Sequence, residues 1–334
     1  SNDIWLVNLT FFTSEAGKDS PSSYFVPKGI LYDSIKKNRN CHELWYNERM
    51  KYPKINLKEV REQARQFQAE HPRLLLVFLL PSILLILSSF IRPLSLLDEG
   101  ILEQSFLSFL GITIQSALFP IAVGFTSSII LAGALFTTIN LYRISEIELS
   151  FKDSLSLLDN RFFTQTFLTL LLKRFYLFLW SIPNLFGVYL LFYSSAMARK
   201  FVELHPEFPS VDVTNPDIEH FLLTFALYFF GSVLVMILGT IIYLPQYYAY
   251  SQVELLLCDT LAIGIAKPSR VLHTSRFLMK GYKFQRFVLD LQLLPWYILI
   301  WISFGIASIS IFPYIYSSQI FFYQRLLEIK RRKV

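Results

Sequence analysis

From Gln104 to Tyr142 the chain runs for 39 residues without a charged side chain. A helix needs about 20 apolar residues to cross the hydrocarbon core of a bilayer, so this one stretch rules out an ordinary soluble fold. Three further uncharged runs clear that length: Phe175 to Ala198, Phe221 to Val253 and Leu291 to Gln324. Leu74 to Ile91 has 18 residues and falls within the spanning range of roughly 17 to 25. Inside a bilayer every backbone polar group must be satisfied internally, which leaves helices or a closed barrel. No stretch shows the alternation with turn signals that a membrane barrel requires. The expected fold class is therefore all-α, a polytopic transmembrane helical bundle.

Charge sets the threading. Only 17% of residues are charged and 53% are hydrophobic, against a globular norm of about 25% charged. The net charge of +6 excludes nucleic acid as a partner by its placement. Lys and Arg gather at the ends of the oily runs, the pattern of topology signals and anionic-lipid contact. Bases dominate before the first run (Lys54, Lys58, Arg61, Arg65, Arg73), between Arg143 and Arg174, between residues 254 and 286, and in the closing "EIKRRKV". Acids dominate after Ile91 and across residues 199 to 220. Positive-inside counting then places both termini in the cytoplasm, which five spans cannot satisfy.

The parity is restored if the run 291–324 holds two helices. "ISFGIASIS" (302–310) is the break, with Pro313 in the first turn of the second helix. Six spans are expected, at about 74–91, 118–141, 175–196, 221–245, 285–303 and 308–326, with five as the alternative. Splitting the run 104–142 near Gly111 or Pro120 is the rival; an interfacial helix followed by one span is preferred there. The transmembrane domain thus covers 74–326, and 327–334 is a basic cytoplasmic tail. Before it, residues 50–73 form a cytoplasmic segment. In it Val60, Ala64 and Phe67 recur at helical spacing, predicting an amphipathic helix over 56–70. Residues 1–49 lack any trusted periodicity and are expected to be an upstream extension outside the fold.

The C-terminal third carries Met279-Lys280-Gly281, Phe287-Leu289-Leu291, Trp296, Gly305, Pro313-Tyr314 and Phe322-Tyr323-Leu326. With "NLKEVREQAR" near its start, the chain from about Ile55 to Leu326 resembles the domain-of-unknown-function 975 family of bacterial integral membrane proteins. Where a second glycine of the family's break would fall, this chain has Ala307. The resemblance implies a compact multi-span domain in a bacterial cytoplasmic membrane, with Lys280, Gly281, Trp296, Gly305, Pro313 and Tyr314 as its motif positions. It brings no activity, cofactor or catalytic residue.

Candidate chemistry is sparse. Arg286 and Asp290, four apart on a helix, can pair on one face. Asp290 lies only about 6 Å of rise beyond Arg286, so an ion pair anchored at the membrane interface is favoured over a proton relay. Pro183 beside Asn184 and Pro245 beside Gln246 mark kinks. A broken helix of that kind can bind a substrate at the midplane, while a packed kink is the plainer alternative. Gln115 and Asn140 are amides expected to bond neighbouring helices, with lining of a polar cavity as the alternative. Gly124, Ser128 and Ala132 form a small-residue packing stripe, within the bundle or between copies. The acidic loop with Glu203, His205, Glu207, Asp212, Asp217, Glu219 and His220 lacks a repeated ligand spacing and is expected to be solvated, with no metal. His273 and Cys258 have no oxyanion signature nearby to make them a nucleophilic couple. No catalytic or phosphate-cradling motif occurs.

Three functions follow in order: a non-catalytic accessory or scaffold of an envelope or export system, a small permease for a lipid, peptide or solute, and an intramembrane enzyme. Membrane lipids, including anionic inner-leaflet lipids, are the expected partners, together with a membrane protein or a second copy.

Overall fold

A computed structural model describes residues 53–89, 105–144, 149–205, 216–264 and 266–332. The extension 1–49, Cys41, and Glu207 and Asp212 of the acidic loop lie outside the described residues. Within them the structure is helical throughout: α1 Leu57–Glu70, α2 Leu74–Ser89, α3 Phe106–Arg143, a 3₁₀ helix Phe151–Leu158, α4 Asn160–Leu204, α5 Pro216–Ala249, α6 Val253–Ile263, α7 Pro268–Leu278, α8 Lys283–Ile302 and α9 Ser308–Arg332.

α1 forms where its periodicity predicts. Asn56 caps it by accepting from the Glu59 N–H, and Val60, Ala64 and Phe67 are its buried face. That face lies along α9, where Phe67 meets Phe321 edge-on at 5.7 Å and Glu59 pairs with Arg325. Pro72 follows the last turn and the chain bends by 105° into α2. There Phe78 stacks on Tyr316 at 5.5 Å.

The densest part of the core surrounds α6 and α9. In α6 Val253 and every residue from Leu255 to Leu261 are buried, the signature of a helix enclosed on all sides. α9 buries Ile315, Phe322, Tyr323 and Leu326 completely. The C-terminal half of α3 closes another side, from Ile129 to Leu141. Gly133 makes this closure fit: a Cβ there would lie 2.1 Å from the Ser154 carbonyl oxygen of the 3₁₀ helix. A capping box orders that helix, with Ser150 N–H donating to Asp153 at 2.6 Å.

α4 and α5 pair as a long antiparallel hairpin. At 1.5 Å per residue they extend about 67 and 51 Å, well beyond a hydrocarbon core of about 30 Å. The base of α4 therefore joins the core, burying Thr166, Thr169 and Leu170. Further along, Gly187 admits Met236, and Gly239 admits Asn184. The outer faces of the hairpin remain apolar and exposed, with Leu223, Leu227, Phe230 and Leu234 among them.

Three segments are long and apolar enough to cross a membrane: Leu118–Arg143, Arg161–Leu204 and Ile218–Ile263, the last running from α5 into α6. The bent pair α1–α2 raises the number to four if taken as one span. This is fewer than the six expected from the sequence. The difference lies at both ends of the chain: α2 turns sharply out of α1, and α8 and α9 include charged residues at their outer ends and share one oily run between them. The run 104–142 forms one continuous helix, of which only Leu118–Arg143 qualifies as a span; Phe106–Gln115 is a shorter apolar segment. The break between α8 and α9 falls at Ser303–Ala307, inside the expected window, where Phe304 and Gly305 adopt φ of 50° and 89°. The last helix starts at Ser308, where the expected span began, and Pro313 is its sixth residue, in the second turn rather than the first.

Two glycines should respond in opposite directions. Gly133→Ala forces a methyl into the Ser154 backbone and should cost about 1–3 kcal/mol, seen as a lower thermal midpoint in detergent. Gly231→Ala, with nothing within 4 Å of the new methyl, should instead be neutral or raise stability by up to about 1 kcal/mol through helix propensity.

Candidate functional site

Two oppositely charged pairs meet where α3, α4, α5, α6, α8 and α9 converge. Lys173 reaches from α4 to Glu254 in the first turn of α6, Nζ to Oε1 2.5 Å. The acid gains there from the positive end of the helix dipole. On α8, Arg286 Nη1 lies 3.1 Å from Asp290 Oδ1, the i,i+4 pairing that the spacing allowed. Between the pairs is a cavity of about 510 Å³. Leu131 and Leu135 of α3 form its back, Tyr247 and Tyr248 its α5 side, and Tyr316 and Gln319 its α9 side.

Arg286 is 4% exposed. Its side chain does not run outward to the surface; its guanidinium lies over the Phe322 ring, 5.8 Å from the centroid. Burying a charge costs several kcal/mol unless it is well paired, and here the pairing is incomplete. Asp290 supplies one partner, and Tyr248 lines the same cavity beside it. The Arg286 Nε has no hydrogen-bond partner among the described residues. Tyr297 and Gln319 add further polar groups to its lining. The mouth is apolar: Leu291 and Leu294 of α8 line the cavity and are exposed on the outer surface as well. Chemically this is a charge-balanced, tyrosine-rich chamber whose opening lies on an oily face.

A second buried group lies on the far side of α6. Asp259 is 2% exposed. Arg143 Nη2 stands 3.0 Å from its Oδ1, and the Tyr323 hydroxyl donates to its Oδ2 at 2.8 Å. This carboxylate joins the end of α3, α6 and α9. Held by these two partners, it acts as a structural pin.

The remaining candidates disperse. Asn184 packs on Gly239 and lies near Thr240, 3.4 Å from its hydroxyl. Pro183 and Pro245 sit inside continuous helices. Gln246 immediately precedes the two tyrosines of the cavity, but neither proline–amide pair lines it. Gln115 is exposed on α3 and Asn140 is buried. Gly124 and Ser128 receive the Arg174 guanidinium, whose Nη2 donates to the Gly124 carbonyl at 2.8 Å and the Ser128 hydroxyl at 2.7 Å. Ala132 accepts the Cys258 thiol at 3.7 Å. The small-residue stripe is thus occupied within the chain. Cys258 is buried on α6 while His273 is exposed on α7, so they form no couple. Glu203 and His205 are exposed at the end of α4.

The motif positions serve packing. Lys280 and Gly281 make the α7–α8 turn, with Gly281 at φ 86°. Trp296 meets Tyr314 edge-on at 5.8 Å, holding α8 to α9. Gly305 sits against Ile86 of α2, where a Cβ would lie 3.1 Å from a side-chain carbon. Around α7 the exposed Lys267, Arg270, Arg276 and Lys280 form a basic surface beside exposed Phe284. Burial, helped by the Arg276 charge, holds Lys283 below the ordinary lysine range.

Lys173, Glu254, Tyr248, Tyr297, Gln319 and Asp259 were not singled out from the sequence. One signal was present for Asp259: it is an acid in mid-helix within the otherwise apolar "LLLCDTLAI".

The fold and cavity define an all-helical protein whose long apolar helices are able to cross a membrane and which encloses paired charges among them. The chain belongs to a family described as Protein of unknown function (DUF975), whose profile matches residues 50–330. No curated protein and no solved structure matches it.

Removing one member of the buried pair should cost more than removing both. Asp290→Leu strands Arg286 and should lower stability by about 3–5 kcal/mol. The double variant Arg286→Met/Asp290→Leu should recover most of that loss. Thermal unfolding of the purified proteins measures both, and equal losses would show that the pair is not the source.

Proposed function

We propose that this chain is a non-catalytic, multi-pass protein of a bacterial cytoplasmic membrane that binds the headgroup of a phosphate-bearing amphiphile in the cavity between α3, α5, α8 and α9. One observation carries this reading: the buried Arg286, with its Nε unpartnered, lines a chamber whose mouth is flanked by exposed Leu291 and Leu294. An arginine offers planar, bidentate donors suited to phosphate. The oily mouth lets acyl chains lie along α8 while the headgroup enters, and Lys173, Tyr248 and Gln319 stand ready as further polar contacts.

Orientation follows the basic residues. The surface with Lys267, Arg270, Arg276 and Lys280 would face anionic inner-leaflet lipids, with both termini on that side. The accessory-scaffold reading rested on the absence of catalytic motifs, on the small-residue stripe and on charges acting as anchors. Arg174 and Cys258 occupy that stripe within the chain, and the charges line a cavity, so ligand binding is the better supported role. Lipid or peptide handling is its natural extension.

The test is calorimetric titration of the detergent-solubilised protein with dihexanoyl phosphatidylglycerol below its micellar concentration. A charge-assisted hydrogen bond contributes about 1.5–3 kcal/mol, so Arg286→Met/Asp290→Leu should weaken saturable binding by about tenfold or more. Unchanged affinity in that folded variant would remove the cavity as the headgroup site.

A further inference from the structure

The turn between α8 and α9 is unlike the others described. It carries no charge, and its large side chains point away from the protein: Trp301 is 81% exposed, Phe304 70% and Ile306 64%. The turns after α1, α6 and α7 each hold a base (Arg73, Lys267, Lys280). The uncharged turn between α5 and α6, Tyr250–Gln252, is covered by protein at Tyr250 and Gln252. A cluster of apolar side chains at a hairpin tip marks a surface that meets something other than water.

The backbone of this turn makes the same point. Every N–H from Ser303 to Ile311 has an acceptor inside the hairpin. Ser303 donates to Leu299, Phe304 to Trp301, Gly305 to Ile300, Ile306 to Ser303 and Ser308 to Gly305. The Ala307 N–H donates to the Ser303 hydroxyl at 3.0 Å, and Ile309, Ser310 and Ile311 donate back to Ile306 and Ala307. Water is not needed to satisfy these donors, and Gly305 at the centre of the turn is buried, two of the features that non-helical backbone at membrane depth requires.

Length decides how far the hairpin reaches. Two full crossings need about 40 apolar residues, whereas the uncharged run Leu291 to Gln324 has 34, turn included. From Asp290 to Phe304 the rise is about 21 Å at 1.5 Å per residue, short of a hydrocarbon core of about 30 Å.

We infer that α8–α9 is a re-entrant hairpin: it enters from the side of Arg286 and Arg325, and its tip, Trp301 to Ile306, ends among the acyl chains of the opposite leaflet. The hairpin returns α9 to the side it came from, so it leaves the predicted side of the C-terminus unchanged while removing two spans. Gly305 against Ile86 locks the tip to α2. The inference rests on the membrane reading of the chain but not on the cavity's ligand.

The experiment places single spin labels in full-length protein in phosphatidylglycerol-containing nanodiscs, on a background of Cys41→Ser and Cys258→Ala. Labels go at Phe304→Cys, at Leu234→Cys on the exposed face of α5, and at His205→Cys at the end of α4. Collision with oxygen reports hydrocarbon, and collision with a water-soluble nickel chelate reports water. The expected result is an oxygen-to-nickel ratio at Phe304 several-fold above that at His205 and close to that at Leu234. A Phe304 label as open to nickel as His205 means the turn emerges into water, and one shielded from both reagents means protein covers it; each overturns the hairpin alone. Nickel access at Leu234 as well overturns the membrane reading with it.

Discussion

A single buried carboxylate, Asp259, holds the centre of this molecule together. It pairs with Arg143 from the end of α3 and accepts from Tyr323 of α9, so three helices distant in sequence share one contact. An ionised acid enclosed this way is unfavourable unless both oxygens are engaged. The register of α3 against α9 is therefore constrained by more than apolar contact, which tolerates sliding. α6, short and buried on every side, has no position of its own outside this frame.

The placement of α6 sets the cavity in turn. Glu254 and Asp259 are five residues apart, which separates them by about 140° around a helix of 3.6 residues per turn. One side of α6 thus reaches the Arg143–Tyr323 pin, and another presents Glu254 to Lys173 and the chamber. α8 divides its faces similarly. Arg286 and Leu289 point inward, while Leu291, Leu294 and Trp301 lie on the exposed side. Charges and apolar groups alternate by helix face, so the chamber holds two charged pairs among apolar walls although the helices around it read as oily.

The outer surface follows a different rule. The most apolar windows of α4 and α5 are only 6% buried within the protein, whereas α9, carrying more polar residues, is mostly enclosed. Hydrophobicity here does not mark the core: the faces most able to meet lipid are also the most apolar. Close helix contact depends on shape, at Gly187, Gly239 and Gly133, and on polar groups with specific partners.

What the sequence determined by itself was local or compositional. The helical class followed from runs too long and uncharged for anything else. The face of α1, the Arg286–Asp290 spacing and the break within 302–310 each depend on residues within a turn or two of one another. Tertiary structure alone decided which charges meet: Lys173 with Glu254 across 81 positions, Arg174 with the Gly124 stripe, and Asp259 with its two partners. The bend after α1 and the division of the last oily run likewise appear only in the tertiary structure. The physical reason is the same in each case. In a chain built to be apolar on both its inner and outer faces, hydrophobic periodicity no longer says which side of a helix meets protein. Contact is then chosen by small residues and by a few buried charges whose partners lie far away in sequence.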